Sequence, residues 1–250
     1  MRKALLAAVA LATLTVSLST STAASDLDQV EERRVQRAVL VYTFDNGESL
    51  RSGTRVVDSA GPYSDNGRVT TANGGRLTSV RHGGGRAARF PAPCPDRGCP
   101  RVIISTPHRS ALSPGIRPFS FGAQIRVSPS RTAFTSSIIR KGDFPIAGRW
   151  RLRVDRAEGF PYCAVSGTAG TVVMRSVVGI ADGQWHTVRC ARRGKLLRLI
   201  VDGTVVRTKV GPIGVVRNAQ PVLIGGTSTG VRNNQFSGTL DDVHLRIRRR

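Results

Sequence analysis

The chain has 250 residues, with 38 Lys and Arg against 16 Asp and Glu, a formal net charge of +22 and only 5% aromatic residues. Such a charge favours anionic partners at low salt, whether cell-wall phosphate polymers, sulfated glycans or extracellular nucleic acid, although a GC-rich genome that writes Arg freely leaves the same excess. No stretch interleaves stacking aromatics with the basic residues, which argues against a dedicated single-strand nucleic-acid groove.

The chain opens with Arg2-Lys3, an apolar run from Ala4 to Val16 and a small-residue stretch from Ser17 to Ser25. This is the pattern of a secretory signal peptide over residues 1–24, cut after Ala23 or Ala24. The run is shorter than the roughly 20 residues a bilayer span needs, and no later segment is long and apolar enough either. No Cys follows the run for lipid attachment, so free secretion is expected. Loss of Arg2 and Lys3 takes the charge from +22 to +20, since no acidic residue precedes Asp26. What remains fits one sandwich or barrel domain. Residues 25–37 read as a polar spacer, with Ser25 and Asp28 spaced as a capping box.

From Val39 the chain breaks into short alternating runs separated by Gly, Pro, Asn and Asp. Strands are predicted at 39–44, 87–90, 101–105, 119–127, 137–141, 149–155, 162–166, 172–178, 186–192, 196–201, 205–210, 221–225 and 238–247. Phe119, Phe121, Ala123, Ile125 and Val127 alternate without a slip. No helical periodicity is sustained after Arg37. Sheets without helices to cover them close on each other, so the expected fold is all-β, an antiparallel two-sheet β-sandwich of jelly-roll type.

The segment from Asp182 to Gly203 is the most telling. Turn, Gly183-Gln184-Trp185-His186-Thr187-Val188, turn, an alternating strand from Leu196 and then Asp202-Gly203 form a half-buried meander. At these residues the chain resembles the laminin G-like (concanavalin A-like) family of jelly-roll domains. Leu40 to Asp45 is similar to that family's first strand, Val57 to Gly61 to its first loop, Gly84 to Phe90 to the strand before its variable region, and Phe236 to Leu245 to its closing strand. The resemblance implies one such domain over residues 38–250, with the first and last strands as neighbours. A shared fold does not fix a shared function.

Four Cys in an exported chain suggest two disulfides, Cys94 with Cys99 and Cys163 with Cys190. Their spacing is wrong for paired zinc ligands. Acidic residues are scarce yet gather at Asp45, Asp58 and Asp65 near the first strand and at Asp241 and Asp242 in the last. Neighbouring first and last strands would let Asp45 or Asp58 with Asp241 or Asp242 hold one structural calcium ion, as in many relatives of the fold; ordinary turn and strand-end Asp is the alternative. Arg189, Arg198, Arg246 and Arg248 alternate outward on strands, and their planar forks suit phosphate, sulfate or carboxylate.

Catalytic constellations fare poorly. His82-Gly83-Gly84-Gly85 and Gly226-Thr227-Ser228-Thr229-Gly230 resemble the oxyanion loop and nucleophile elbow of an α/β hydrolase, but no helix follows Gly230. Asp26, Asp28 and Glu31 resemble the carboxylate strand of some β-sandwich glycosidases, yet lie in the spacer, and Asp155 with Glu158 or Asp143 supplies no mid-sheet pair. His186 is expected on the core face beside Val188 and Cys190, His244 facing outward, and His82 and His108 in loops, none with a carboxylate at a telling spacing. The chain is therefore read as a secreted, non-catalytic binding module for carbohydrate or an anionic cell-surface polymer. A β-sandwich polysaccharide hydrolase or lyase, or an adhesive module for other proteins, is the alternative. Nothing in the sequence sets the oligomeric state.

Overall fold

A computed structural model describes residues 36–46, 50–61, 65–94, 96–131 and 135–248. The expected signal peptide and the spacer up to residue 35 lie outside the described residues, as do Asp26, Asp28 and Glu31. Among the described residues the strands are β1 (Gln36–Tyr42), β2 (Arg55–Val56), β3 (Gly67–Ala72), β4 (Thr78–His82), β5 (Gly85–Arg89), β6 (Arg101–Thr106), β7 (Phe119–Arg126) and β8 (Ser136–Lys141). They continue as β9 (Trp150–Asp155), β10 (Phe160–Gly167), β11 (Gly170–Arg175), β12 (Trp185–Arg193), β13 (Leu196–Val201), β14 (Thr204–Val210), β15 (Val222–Ile224) and β16 (Thr239–Arg248). Gln36 and Arg37, expected in the spacer, are strand residues, because their partners Arg248 and Ile247 extend the first ladder by two positions.

Two eight-stranded sheets form the sandwich. The first runs β14-β13-β12-β7-β16-β5-β4, with β1 also paired to β16, and the second runs β11-β10-β9-β8-β15-β6-β3-β2. Strands β2, β3 and β4 are additional to the strands predicted from the sequence. Each has few apolar residues, and β2 and β4 are edge strands where polar side chains meet solvent.

The alternation of β7 builds the core from the first sheet, since Phe119, Phe121, Ala123 and Ile125 are all buried while Ser120, Gly122, Gln124 and Arg126 take the opposite face. From the second sheet Trp150, Leu152 and Val154 of β9 answer them. Trp150 lies with its ring 4.6 Å from Phe121 and 6.5 Å from Phe119, so one aromatic cluster spans the two layers. Full burial of each such side chain contributes about 1.5–3 kcal/mol before entropy is counted. Both expected disulfides form. Cys94 and Cys99, with Cα atoms 5.5 Å apart, close a surface loop. Cys163 of β10 and Cys190 of β12, 6.1 Å apart, bind the second sheet to the first through the core.

Strand β16 carries the main irregularity. From Arg248 to Val243 it pairs with β1, but at Leu240 and Thr239 it pairs with β5. The change falls at Asp241 and Asp242, where the register against β7 also shifts and Asp242 has φ of 45°. The inward alternation changes phase there, from Leu240 to Val243, as a bulge requires. The result is a fork: β1 and β5 lie along the same edge of β16, one above and one below the bulge.

Candidate functional site

A cavity of about 860 Å³ opens at this fork, lined by Asp45, Arg81, His82, Gly83, Gly84, Gly85, Arg86, Gln124, Asp241 and Asp242. The bulge aims Asp241 and Asp242 outward from the sheet, and Gln124 of β7 donates to Asp242 from the neighbouring strand. Asp241 Oδ1 accepts the Asp242 N–H at 2.7 Å, and its Oδ2 accepts from His82 Nδ1 at 2.6 Å. Burial pushes the Asp241 carboxyl above the ordinary carboxylate range, although His82 and the Asp242 amide pull it down. The other face of the His82 ring stacks on Trp185, with centroids 3.8 Å apart and planes 20° apart. At the rim Asp45 Oδ1 accepts the Arg86 N–H at 2.9 Å. A Cβ on Gly85 would stand 2.0 Å from that same oxygen, so glycine is what lets Asp45 reach β5. The site thus offers carboxylate, amide and guanidinium groups beside an imidazole backed by Trp185.

A family model described as the concanavalin A-like lectin/glucanases superfamily matches residues 104–248. The chain belongs to this superfamily. Among solved structures it is similar to the binding domain of Paraclostridial Mosquitocidal Protein 1, at TM-score 0.60 and 13% identity, covering 85% of this chain and 49% of that one. Domain 4 of AbnA, an extracellular GH43 arabinanase from Geobacillus stearothermophilus, solved with arabinotriose, matches at TM-score 0.57 and 16% identity, covering 85% of this chain and 92% of that one. The receptor binding domain of botulinum neurotoxin mosaic serotype C/D matches at TM-score 0.54 and 12% identity, covering 84% and 47%. The chain spans about half the length of the mosquitocidal-protein and neurotoxin binding domains. At such identities these likenesses speak for the fold.

Of the carboxylates expected to hold calcium, Asp45 or Asp58 with Asp241 or Asp242, this concanavalin A-like sandwich brings Asp45 to the closing-strand pair and not Asp58. Asp45, Asp241 and Asp242 line the cavity, where each already accepts a hydrogen bond, and among the described residues no group of three or more His, Cys, Asp or Glu is arranged to hold a metal. Asp58 lies elsewhere, buried beside Asp65 in the loop between β2 and β3. The fork explains the division, because it gives Asp45 to the β5 side while the loop carrying Asp58 caps the β1 side through the Val41 N–H.

The arginines divide as well. Arg248 is exposed, and Arg198 and Arg246 are half-buried. Through the pairs Arg198 with Ala191, Ala191 with Ser120 and Ser120 with Arg246, these last two stand on one transverse row with only small side chains between them. Arg189 keeps its expected outward parity but is only 6% exposed, so it is not a surface cation. It sits on a central strand between Gly122 and Ile200.

The histidine expectations need correction. His82 ends β4 rather than lying in a loop, and its carboxylate partner Asp241 is 159 residues away in sequence. His186 has core-face parity yet lies at the sandwich end, where the ring is 17% exposed. There Nδ1 meets Asp202 Oδ2 at 2.7 Å and Nε2 meets Asp182 Oδ1 at 3.1 Å. Burial pulls its pKa down, but the two carboxylates outweigh it and the net shift is upward. His82-Gly83-Gly84-Gly85 is the β4–β5 turn, and Gly226 to Gly230 is a loop in which Ser228 Oγ accepts the Gly230 N–H, with no helix beyond.

The His186 pair of contacts has a pH signature. A folded pKa raised above the unfolded value of about 6.5 gives stabilisation that is complete below that value and is lost as pH rises through the folded pKa. Because both aspartates are half-exposed, the expected size is only about 0.5–1 kcal/mol. Urea unfolding of the protein and of His186→Gln from pH 5.5 to 8.5 measures it: the gap between the two should close with rising pH, and a constant gap contradicts the assignment.

Proposed function

We propose that this protein is a secreted, non-catalytic binding module that takes carbohydrate in the cavity at the fork, or an anionic extracellular polymer along the row of Arg198 and Arg246. The observation that carries the reading is the cavity's lining. Sugar hydroxyls both donate and accept, and carboxylates at Asp45, Asp241 and Asp242 accept while Gln124, Arg81 and Arg86 donate. His82, backed by the Trp185 ring stacked on it, brings a flat ring into the lining of the kind a sugar ring covers. A concave site with a few convergent polar groups is the ordinary form of a ligand site. The arabinotriose-bound arabinanase domain supports carbohydrate as the ligand class, and the paired disulfides support an extracellular setting.

The rival hydrolase or lyase reading is favoured by one feature, the His82–Asp241 pair, which has the form of an acid/base couple. Both readings are tested by retention on arabinan, other neutral polysaccharides and a polyanion matrix at low and high salt, with a reducing-end assay alongside. Neutral-glycan retention indifferent to salt is expected, with about a tenfold loss of affinity in His82→Ala, which removes the ring that lines the cavity, equivalent to one aromatic contact. Retention on the polyanion should fall steeply with salt and weaken in Arg198→Ala and Arg246→Ala. New reducing ends accumulating with time would overturn the non-catalytic reading; absence of retention on every matrix would overturn the binding reading.

A further inference from the structure

We propose that one end of the sandwich docks on a lipid surface carrying anionic phosphate headgroups, with Phe144 entering the headgroup–acyl boundary and Arg149 and Arg217 meeting the phosphates. The turns concerned lie together, laced by residues 211–218. The Gly211 N–H donates to the Lys195 carbonyl of the β12–β13 turn at 3.0 Å, and the Ile213 and Val215 carbonyls accept the Ala169 and Thr168 N–H groups of the β10–β11 turn. Val216 bridges to Gly115 ahead of β7, and Asn218 donates to the Gly148 carbonyl of the β8–β9 turn at 2.7 Å. Of the seven large apolar side chains exposed among the described residues, four stand here: Ile116 at 70%, Phe144 at 79%, Ile146 at 37% and Val210, the last residue of β14, at 67%. The same turns carry Arg117, Arg149, Arg193, Lys195 and Arg217 against a single acid, Asp143. Apolar tips within a basic collar suit a membrane interface, where apolar side chains sit at the headgroup–acyl boundary and cations at the phosphates. The tips stand on separate turns with cations between them, a spacing that a rigid protein face would have to match knob by knob and a fluid lipid surface accepts as it is.

The β8–β9 turn is built to present Phe144. Asp143 Oδ1 accepts the Phe144 N–H at 2.8 Å, the Ile146 N–H donates to the Asp143 carbonyl at 2.8 Å, and Gly142 and Gly148, with φ of 75° and 74°, close the turn at both sides. Arg149 donates to the Ile146 carbonyl at 2.8 Å and holds its guanidinium 5.5 Å from the Phe144 ring, so cation and ring arrive at a surface together. Behind the turn a cavity of about 120 Å³ lies between Arg140, Arg149, Arg151, Ser166 and Thr171. That is the room of about four waters, enough for one phosphate. The charge of Arg140 is met by Asp143 at 2.7 Å. Arg149 and Arg151, the latter donating to the Tyr162 hydroxyl at 3.3 Å, form no ion pair among the described residues, which leaves two guanidinium forks for an anion. The cavity at the fork stays clear of such a surface. Arg248, tied to this end through the Pro118 carbonyl, stands six residues beyond Asp242 on β16, about 20 Å at the rise of a strand.

The chain from residue 25 onward holds every described strand and omits the apolar run from Ala4 to Val16, which would bind lipid on its own account. It is sedimented with phosphatidylcholine vesicles, with and without phosphatidylglycerol, at low and high salt. Partition onto the anionic vesicles is expected, much weaker on the neutral ones and reduced by salt. Phe144→Ser should lose about tenfold in partition, the equivalent of one aromatic side chain withdrawn from lipid, and Arg149→Ala and Arg217→Ala about fivefold each. Phe144→Trp should be quenched by bromine-labelled acyl chains beyond the background of Trp150 and Trp185 in the unmodified chain, and should stay so when Arg198→Ala and Arg246→Ala are added. No partition onto anionic vesicles overturns the proposal, as does equal partition onto neutral ones. Partition indifferent to Phe144→Ser, with no quenching in Phe144→Trp, overturns it as adsorption by charge alone. Binding lost only with Arg198 and Arg246 overturns it by placing the contact on the first sheet.

Discussion

Replacing Cys163 and Cys190 together with Ala is expected to cost about 3.5 kcal/mol, the largest loss foreseen for any change outside the aromatic core. The bridge closes a loop with a sequence separation of 27, against 5 for Cys94 and Cys99, and cross-linking restricts the unfolded chain more when the loop is longer. On the same reasoning the surface bridge contributes only about 2 kcal/mol. Both sulfurs of the inner bridge lie in fully buried residues, so the loss of packed atoms adds to the effect. In urea the variant should unfold earlier with a steeper dependence, because an unfolded chain without the cross-link exposes more surface. A loss below about 1 kcal/mol with an unchanged slope would contradict the entropic account.

Lys141 should make stability rise with pH where most proteins lose it. It is a β8 residue only 1% exposed, its ammonium donating to the Gln220 carbonyl and, at 3.1 Å, to His108 Nδ1, with no carboxylate among its hydrogen-bond partners. Burial pushes its pKa down to about 8 from 10.5. Between those two values the unfolded state binds the extra proton, so folding gains as pH rises, by up to about 3 kcal/mol in all. Below pH 8 the folded state bears the whole penalty of a buried charge. Lys141→Met keeps the unbranched shape without the charge, but leaves the Gln220 carbonyl unmet, at about 1–3 kcal/mol, so near pH 7 the two should be similar in stability. The informative quantity is the difference between the two proteins from pH 7 to 10, in which contributions common to both cancel, including that of the buried Tyr42 hydroxyl, itself pushed up by burial. The unmodified protein should gain on the variant across that range. Parallel curves would mean that Lys141 titrates normally.

The sandwich could be read from residues because its inner strands carry unbroken alternation. Phe119 to Val127 and Leu196 to Val201 leave no other assignment, and the two disulfides follow from the expected export and the cysteine count. Strands β2 to β4 could not be read this way, since Gly67-Arg68-Val69-Thr70-Thr71-Ala72 and Thr78-Ser79-Val80-Arg81-His82 are held by ladder hydrogen bonds and tertiary neighbours more than by their own apolar content. The site was visible only in pieces. Scarcity alone singles out Asp45, Asp241 and Asp242, but His82 reads as a loop residue because β4 has no apolar alternation to announce it. Its partnership with Asp241 and Trp185 joins β4, β16 and β12, and no local pattern encodes it. The doubled aspartate in an otherwise alternating closing strand was the one local hint of the bulge that builds the cavity.

The fork has a bearing on how the protein reaches its native state. Strand β16 is translated last among the described strands, yet it is bonded to β1, β5 and β7 at once, and the pair Gln36 with Arg248 joins the two ends of the described chain. Until β16 arrives, β1 has no partner in its sheet and the β4–β5 hairpin is detached from β7. The first sheet therefore cannot assemble progressively from its N-terminal side as the chain emerges. Contacts of such long sequence separation make for slow, late closure, which is what the proposed export across a membrane would call for. The same strand order that builds the cavity thus leaves the first sheet unclosed until its final strand has been delivered.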